Sequence, residues 1–408
     1  MGDSVTTDFF KGNRERLRTL FTGTAPIVIG ANGLLQRNSD VTFPFRQDST
    51  FWYLTGIEEP DVVLVMDRGK EYLITPMRDD HRAAFDGAID QNQLTKVSGI
   101  ETVLDEKTGW RQLGVRLKKV KHVATLAAAP AYVKDHGLYT NPARAHLIDR
   151  IKAQNAEVEL LDLRPHITRM RAIKQPEELQ QIQRAIDITS DTLKRLHKKG
   201  WQQFAYEYEA EAAITAAFRK ANAEHAYHPI VAAGANACTL HYVKNGDAIT
   251  GGSLLLLDVG AEVGNYAADI TRTYVVGEPT KRQQQVFDAV IAVQEFALER
   301  LKPGILLHDY ELAIQQFMGE KLRELALIKS IEPETVRKYY PHATSHHLGL
   351  DVHDIADYDR PLEAGMVLTV EPGIYIPEEG IGIRIEDNII IEADGPRVMS
   401  NGLPSVLS

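Results

Sequence analysis

Two aspartates stand where an apolar stretch should exclude them. Leu254 to Tyr274 reads LLLLDVGAEVGNYAADITRTY, with Asp258 and Asp269 eleven residues apart. Four consecutive leucines have the character of a strand buried on both faces. An ionised carboxylate there is costly unless a partner offsets the lost hydration. Gly264-Asn265 supplies turn formers between the two acids. A two-residue turn at Val263-Gly264 would set Asp258 directly opposite Asp269, with Cβ atoms about 5 Å apart. Like charges so placed repel, and one or two divalent cations would reverse the sign. The alternatives are an exposed pair at a strand end, or a pair with one carboxyl protonated.

Three further segments carry groups of the same chemical kind. Pro341 to Asp354 reads PHATSHHLGLDVHD and contains His342, His346, His347 and His353. Imidazole is the commonest metal ligand and the side chain best suited to moving protons near neutrality. Gly349 breaks the helical pattern, and no HExxH is present, so a helical zinc motif is not expected. The competing reading is a polar loop with one or two satisfied core histidines. Val367 to Ile376 reads VLTVEPGIYI and places Glu371 just before Pro372-Gly373, where a strand ends or where a charge has a use. In Ile381 to Ile391, IGIRIEDNIII, alternation sets Arg384 and Glu386 on one face and Ile381, Ile383 and Ile385 on the other. As an isolated surface pair Arg384 and Glu386 would be worth little. Together these four carboxylates and at least one histidine are many charges for such apolar surroundings. Oxygen-rich ligation with one imidazole suits Mn, Co, Fe(II) or Zn, and four negative charges balance two divalent ions. Paired ions can hold a bridging hydroxide and polarise a carbonyl.

The elements around these groups divide the 408-residue chain in two. Ala25–Gly30, Val62–Met66, Tyr72–Ile74 and His122–Leu126 read as strands, and Asp80–Ile89 and Asn141–Asn155 as helices. That alternation predicts an α/β domain over residues 1–165. Past Pro165 the chain becomes charged and then helical. Pro176 suits a first helical position, with Glu177 and Glu178 on the positive end of the helix dipole. Leu179, Ile182, Ile186, Leu193 and Leu196 mark one face of that helix. Helices are also expected over Phe204–Ala221, Lys281–Leu301 and His308–Leu327. Strands carrying the unusual charges, with helices outside them, predict an α+β catalytic domain over residues 166–408.

A formal net charge of −10 argues against nucleic-acid binding through a basic surface. The one cysteine, Cys238, excludes an intramolecular disulfide and a Cys-rich zinc site. No apolar run reaches the ~18 residues of a membrane span, and Met1 to Phe21 has no signal-like apolar region. A cytoplasmic enzyme with no membrane partner is therefore expected.

In this order, LDVGAEVGNYAADITRTY, HATSHHLGLDVHD, VEPGIYI and IGIRIEDNIII resemble the motifs of the pita-bread metallopeptidases. The Xaa-Pro aminopeptidases (aminopeptidase P) are the nearest match and the prolidases second. FRQDSTFWYLTGIEEPDVVLVM, Phe45 to Met66, is similar to the N-terminal domain of aminopeptidase P. The resemblance implies an aminopeptidase-P-like N-terminal domain ahead of a pita-bread catalytic domain. It implies that Asp258 chelates one ion and Asp269 bridges both. His346 would bind the second ion with Glu371 beside it, and Glu386 would form the other bridge. Manganese is the first choice of metal, with cobalt, zinc or iron as alternatives. His241, His342 and His353 match histidines that position substrate and move protons, Arg384 matches an arginine that steadies the ligands, and His347 is given no role. A homodimer or a dimer of dimers is implied as well.

The implied reaction is release of the residue before a proline in second position, from a proline-containing peptide. A metal-bridging hydroxide would attack the scissile carbonyl, His353 would assist its polarisation, and Glu371 would pass the proton to the departing nitrogen. An X–Pro bond has no N–H for backbone pairing, so a pocket shaped for the ring is expected. Prolidase activity on Xaa-Pro dipeptides is the nearest rival, because the same five ligands serve both. A metal-free interaction protein on this fold would have lost its ligands, and here all five positions are filled.

Overall fold

The structure is a computed structural model that describes residues 5–126 and 137–408. Met1 to Ser4, the start of the stretch read above for a signal, lie outside those residues. The chain forms two compact units, Met1–Met170 and Arg171–Ser408.

A six-stranded mixed sheet organises the first unit, in the order Val103–Asp105, Lys70–Thr75, Val63–Asp67, Ile27–Gly30, His122–Thr125, Glu159–Asp162. Val63–Asp67 runs antiparallel to both of its neighbours, and the remaining pairings are parallel. Trp110 and Leu113 from the helix Glu106–Leu117, and Leu147 and Ile151 from Ala143–Gln154, pack with Val28 and Val65 as the core. The helix Thr7–Leu20 escaped the periodicity reading because its buried face carries a charge. Arg14 is fully buried and donates to both oxygens of Glu71 at 2.9 and 3.0 Å and to the carbonyls of Leu54 and Ser98. A bidentate partner and two carbonyls satisfy a guanidinium that pattern alone would place in water.

In the second unit the helix Pro176–Lys199 begins with Pro176 at its first turn and Glu178 closing a capping box on Gln175. Ile182, Ile186, Leu193 and Leu196 are buried along it, while Leu179 is half-buried. Helices follow at Glu207–Lys220, Lys281–Leu298 and Leu307–Glu324. The apolar faces of the last two and the inner faces of the strands form one core around Val290, Ile314, Leu368, Ile383 and Ile389.

Leu254–Val259 pairs antiparallel with Ile230–Ala233 on one side and Ile270–Val275 on the other. The register differs from the expected one. Asp258 lies opposite Thr271, not Asp269, and Val263 pairs with Tyr266. The two turn residues are Gly264 and Asn265, at φ 55° and 65°. A hairpin turn with positive φ at both central positions accepts Gly and Asn but penalises a β-branched valine. Asp258 and Asp269 are thus diagonal neighbours on one face rather than a directly opposed pair.

The two C-terminal apolar runs are each broken in the middle. Val367–Val370 pairs with Asp387–Glu392, and Gly373–Ile376 with Ile381–Arg384. Between these ladders, Glu371-Pro372 lies across from Ile385-Glu386. Pro372 has no N–H to give a ladder, so pairing lapses there. The lapse leaves Glu371 and Glu386 free of strand geometry on facing segments.

The histidine loop is tied down by a buried ionic cluster. Lys174 Nζ donates to Asp354 Oδ2 at 2.8 Å, and Arg171 contacts both Asp354 and Asp351. The side chains of Arg171, Lys174 and Asp354 are each at most 2% exposed. Burial opposes the Asp354 charge, but the two cations outweigh it and hold its carboxyl below the usual carboxylate range. Asp354→Asn would leave two buried cations short of a counter-charge. It should lower unfolding free energy by about 3–5 kcal/mol, read as a fall in the urea midpoint without a change in slope.

Candidate metal centre

The centre is assembled from four separate pieces of backbone. One hairpin supplies Asp258, at the end of Leu254–Val259, and Asp269, just before Ile270–Val275; the two facing breaks supply Glu371 and Glu386, one each; and the loop supplies His346. Asp269, His346 and Glu386 each present a ligand atom within 4.8 Å of the others. His346 Nε2 is 3.4 Å from Asp269 Oδ2 and 3.3 Å from Glu371 Oε1. Asp258 joins the group through Tyr227, whose hydroxyl lies 2.6 Å from both Asp258 Oδ1 and Asp269 Oδ1.

Arg384 links the edges of this group. Its guanidinium donates to Asp258 Oδ2 at 2.6 Å, to the Tyr375 hydroxyl at 2.7 Å and to Thr271 Oγ1 at 3.1 Å. The Thr271 hydroxyl in turn donates to Glu386 Oε2 at 2.7 Å. Arg384 and Glu386 therefore share a face, as alternation indicated, and share a partner across the hairpin. The Tyr375 oxygen also meets His342 Nε2 at 2.8 Å, while His342 Nδ1 faces the Ala343 carbonyl at 2.8 Å. A donated Nδ1–H leaves His342 Nε2 to accept from the phenol. Glu371 Oε2 is 3.6 Å from the His342 ring.

Electrostatics show how poorly this set tolerates its own charges. Burial, with Asp269 and Glu371 adding to it, pushes the Glu386 carboxyl well above the usual range. Burial also raises Asp258, to about 6, with Arg384 opposing and Asp269 reinforcing. Burial works against a charge on His346, yet hydrogen bonds donated to the Asp269 and Glu371 carboxylates carry it well above the usual histidine range. The Nδ1 of His346 faces the His347 carbonyl at 3.1 Å. With Nδ1–H donated there, Nε2 faces the carboxylates, donating to them when protonated and free to offer its lone pair to a cation when not. This donor set, hard oxygens with one imidazole, fits divalent cations of the Mn, Co, Fe(II) and Zn group.

Of the remaining residues singled out by sequence, His353 packs its ring edge-on to His346 at 4.4 Å between centroids. His241 lies on an exposed loop, close enough to His353 for their charges to interact. His347 is buried, and burial pushes its imidazole down to about 4. Sequence reasoning missed three supports. Tyr227 carried no anomalous signal in EHAYHP, and Tyr375 sat unnoticed in VEPGIYI. Glu311 lies in the second turn of Leu307–Glu324 and accepts from the backbone N–H groups of Thr344 and Ser345 at 2.8 and 3.1 Å, fixing the approach to His346.

Comparison with known proteins gives the family. Residues 180–393 match the model of metallopeptidase family M24, and residues 10–124 that of the aminopeptidase P N-terminal domain. The chain belongs to metallopeptidase family M24. It is 33% identical to the Xaa-Pro aminopeptidase of Haemophilus influenzae, over 98% of this chain and 95% of that protein. Human Xaa-Pro aminopeptidase 3 is also 33% identical, over 94% of this chain and 79% of that one. The solved structure of aminopeptidase P from Escherichia coli with the inhibitor Pro-Leu aligns at a TM-score of 0.86 and 30% identity, covering 99% of this chain and 97% of that one. The fold is therefore an aminopeptidase P N-terminal domain followed by a pita-bread catalytic domain.

No helix among the described residues is long and apolar enough to cross a membrane. If the carboxylate cluster holds divalent ions, adding Mn2+ to metal-stripped protein stabilises it by about 2.7 kcal/mol per site at a hundredfold excess over Kd. The check is a thermal melt with and without Mn2+, and an unmoved melting temperature would contradict the assignment.

Proposed function

We propose that this chain is an Xaa-Pro aminopeptidase that releases the N-terminal residue from peptides with proline in second position. The observation that carries the reading is the grouping of Asp269, His346 and Glu386 within 4.8 Å, with Asp258 and Glu371 alongside. In this reading Asp258 would hold one ion, His346 and Glu371 would hold a second, and Asp269 and Glu386 would serve both. Manganese is our choice, with Co, Zn and Fe as alternatives. Bound there, divalent ions supply the Lewis acidity that activates water and polarises a carbonyl.

The chain's own residues then divide the remaining work. Glu371, beside both His346 and His342, takes the proton of the attacking water and delivers it to the departing proline nitrogen. His353 donates to the carbonyl oxygen as negative charge develops on it. The free α-amine of the substrate sits by Asp258. His342 and His241 line the approach, and the bond from Tyr375 keeps the His342 ring oriented. Arg384 steadies Asp258 and, through Thr271, Glu386. Longer peptides rather than Xaa-Pro dipeptides are the expected substrates, a preference the ligands alone do not set. We further infer a cytoplasmic dimer or tetramer, in keeping with the resemblance and the single cysteine.

Asp269→Asn and Glu386→Gln should each lower bound metal below two ions and cut turnover by roughly a thousandfold, as expected when several kcal/mol of transition-state stabilisation is lost. Circular dichroism of both variants should match the parent. Near-normal rates in either one would contradict the dinuclear reading. Product analysis on Gly-Pro against Arg-Pro-Pro separates the two peptidase activities. Release of arginine from the tripeptide with little cleavage of Gly-Pro is expected here, and the reverse pattern would make the chain a prolidase.

A further inference from the structure

Tyr227 belongs to none of the segments that announce the centre, yet its hydroxyl touches two of the proposed ligands. It reaches them by a short third strand. Glu224–His225 pairs with Ala261–Val263, and the Ala226 N–H donates to the Gly260 carbonyl at 2.9 Å. Gly260 makes that approach feasible. A Cβ there would stand 1.8 Å from the Ala268 carbonyl oxygen and 2.9 Å from the Tyr227 ring. The sheet thus leaves a gap in front of the aspartates, and the tyrosine ring occupies it.

The donors around the two aspartates are unevenly distributed. Asp258 Oδ2 already receives Arg384 at 2.6 Å. Asp269 is held at its backbone, where Asn388 both accepts from its N–H and donates to its carbonyl. Its carboxylate has His346 3.4 Å from Oδ2 and Tyr227 2.6 Å from Oδ1. The phenol carries one proton, so it donates to one carboxylate at a time. Whichever it serves, its oxygen lies 2.6 Å from both Oδ1 atoms.

We propose that Tyr227 is a positioning residue for the metal centre, its hydroxyl orienting Asp258 and Asp269 so that their remaining lone pairs face the ions. The inference rests on the dinuclear reading above. Hydrogen bonds to ligating carboxylates commonly govern metal affinity in this way, and losing one costs about 10–100-fold. The ring itself fills space beside Gly260, so the effect belongs to the oxygen and not to the ring.

Tyr227→Phe removes that oxygen and keeps the ring. Isothermal titration of metal-stripped protein with Mn2+ should show two ions bound by the parent. The variant should bind at least one of them about 10–100-fold more weakly. Its metal-free melting temperature should stay at the parental value, and its activity should recover toward the parent's as Mn2+ is raised. Affinities within twofold of the parent would overturn the inference, as would a fall in metal-free stability that accounts for the whole effect. A phenolate absorption band appearing in the parent on Mn2+ addition and missing from the variant would also overturn it, by making Tyr227 a ligand. Failure of the parent itself to bind Mn2+ would instead strike the dinuclear reading, so the two failures are distinguishable.

Discussion

Mutual repulsion among four closely placed carboxylates is the constraint around which the catalytic unit is arranged. Asp258, Asp269, Glu371 and Glu386 are brought together where water cannot screen them fully, and burial, reinforced by the neighbouring carboxylates, pushes Glu386 far from its usual ionisation. Isolated buried charges neutralise themselves by shifting their pKa. Here Arg384 and His346 offset only part of the negative charge. The remainder is what a pair of divalent cations would cancel, and the same excess charge would make their binding strong.

Holding such a set in place requires rigid support from outside it. The facing breaks at Glu371-Pro372 and Ile385-Glu386 sit between ladders that continue on either side, so each glutamate is flanked by paired strand. The loop that bears His346 is held from two directions. Glu311 collects its N–H groups, and the buried Arg171–Lys174–Asp354 cluster anchors its far end. A buried ionic cluster contributes little net stability compared with apolar packing. What it supplies here is a fixed location for a loop whose histidines have to meet carboxylates from three other places. The chain of contacts from His342 through Tyr375 and Arg384 to Asp258 joins the approach to the far side of the ligand set. In the proposed reading, substrate orientation and ligand geometry are thereby connected.

Read in one dimension, the chain disclosed the chemistry more fully than the geometry. Charges inside apolar runs are anomalous whatever the fold, so Asp258, Asp269, Glu371, Arg384 and Glu386 could be picked out by composition and alternation. Choosing His346 among four neighbouring histidines needed the family resemblance, because spacing does not tell a candidate ligand from a buried imidazole such as His347. Tyr227, Tyr375 and Glu311 gave no warning. A tyrosine in a loop and a glutamate on a half-exposed helix are ordinary in sequence, and their importance comes from what stands opposite them.

The hairpin shows where the division falls. Residue types alone determined that two carboxylates would share one face of a buried strand pair, because apolar surroundings and period-two alternation follow from the local chain. They did not determine which atoms would meet. That was decided by the positive φ angles of Gly264 and Asn265, by the absent Cβ of Gly260, which leaves room for Tyr227, and by strands distant in sequence that bring Glu371, Glu386 and His346 to the same place. Local pattern carries burial and charge, but convergence depends on long-range pairing, which no short window of sequence contains.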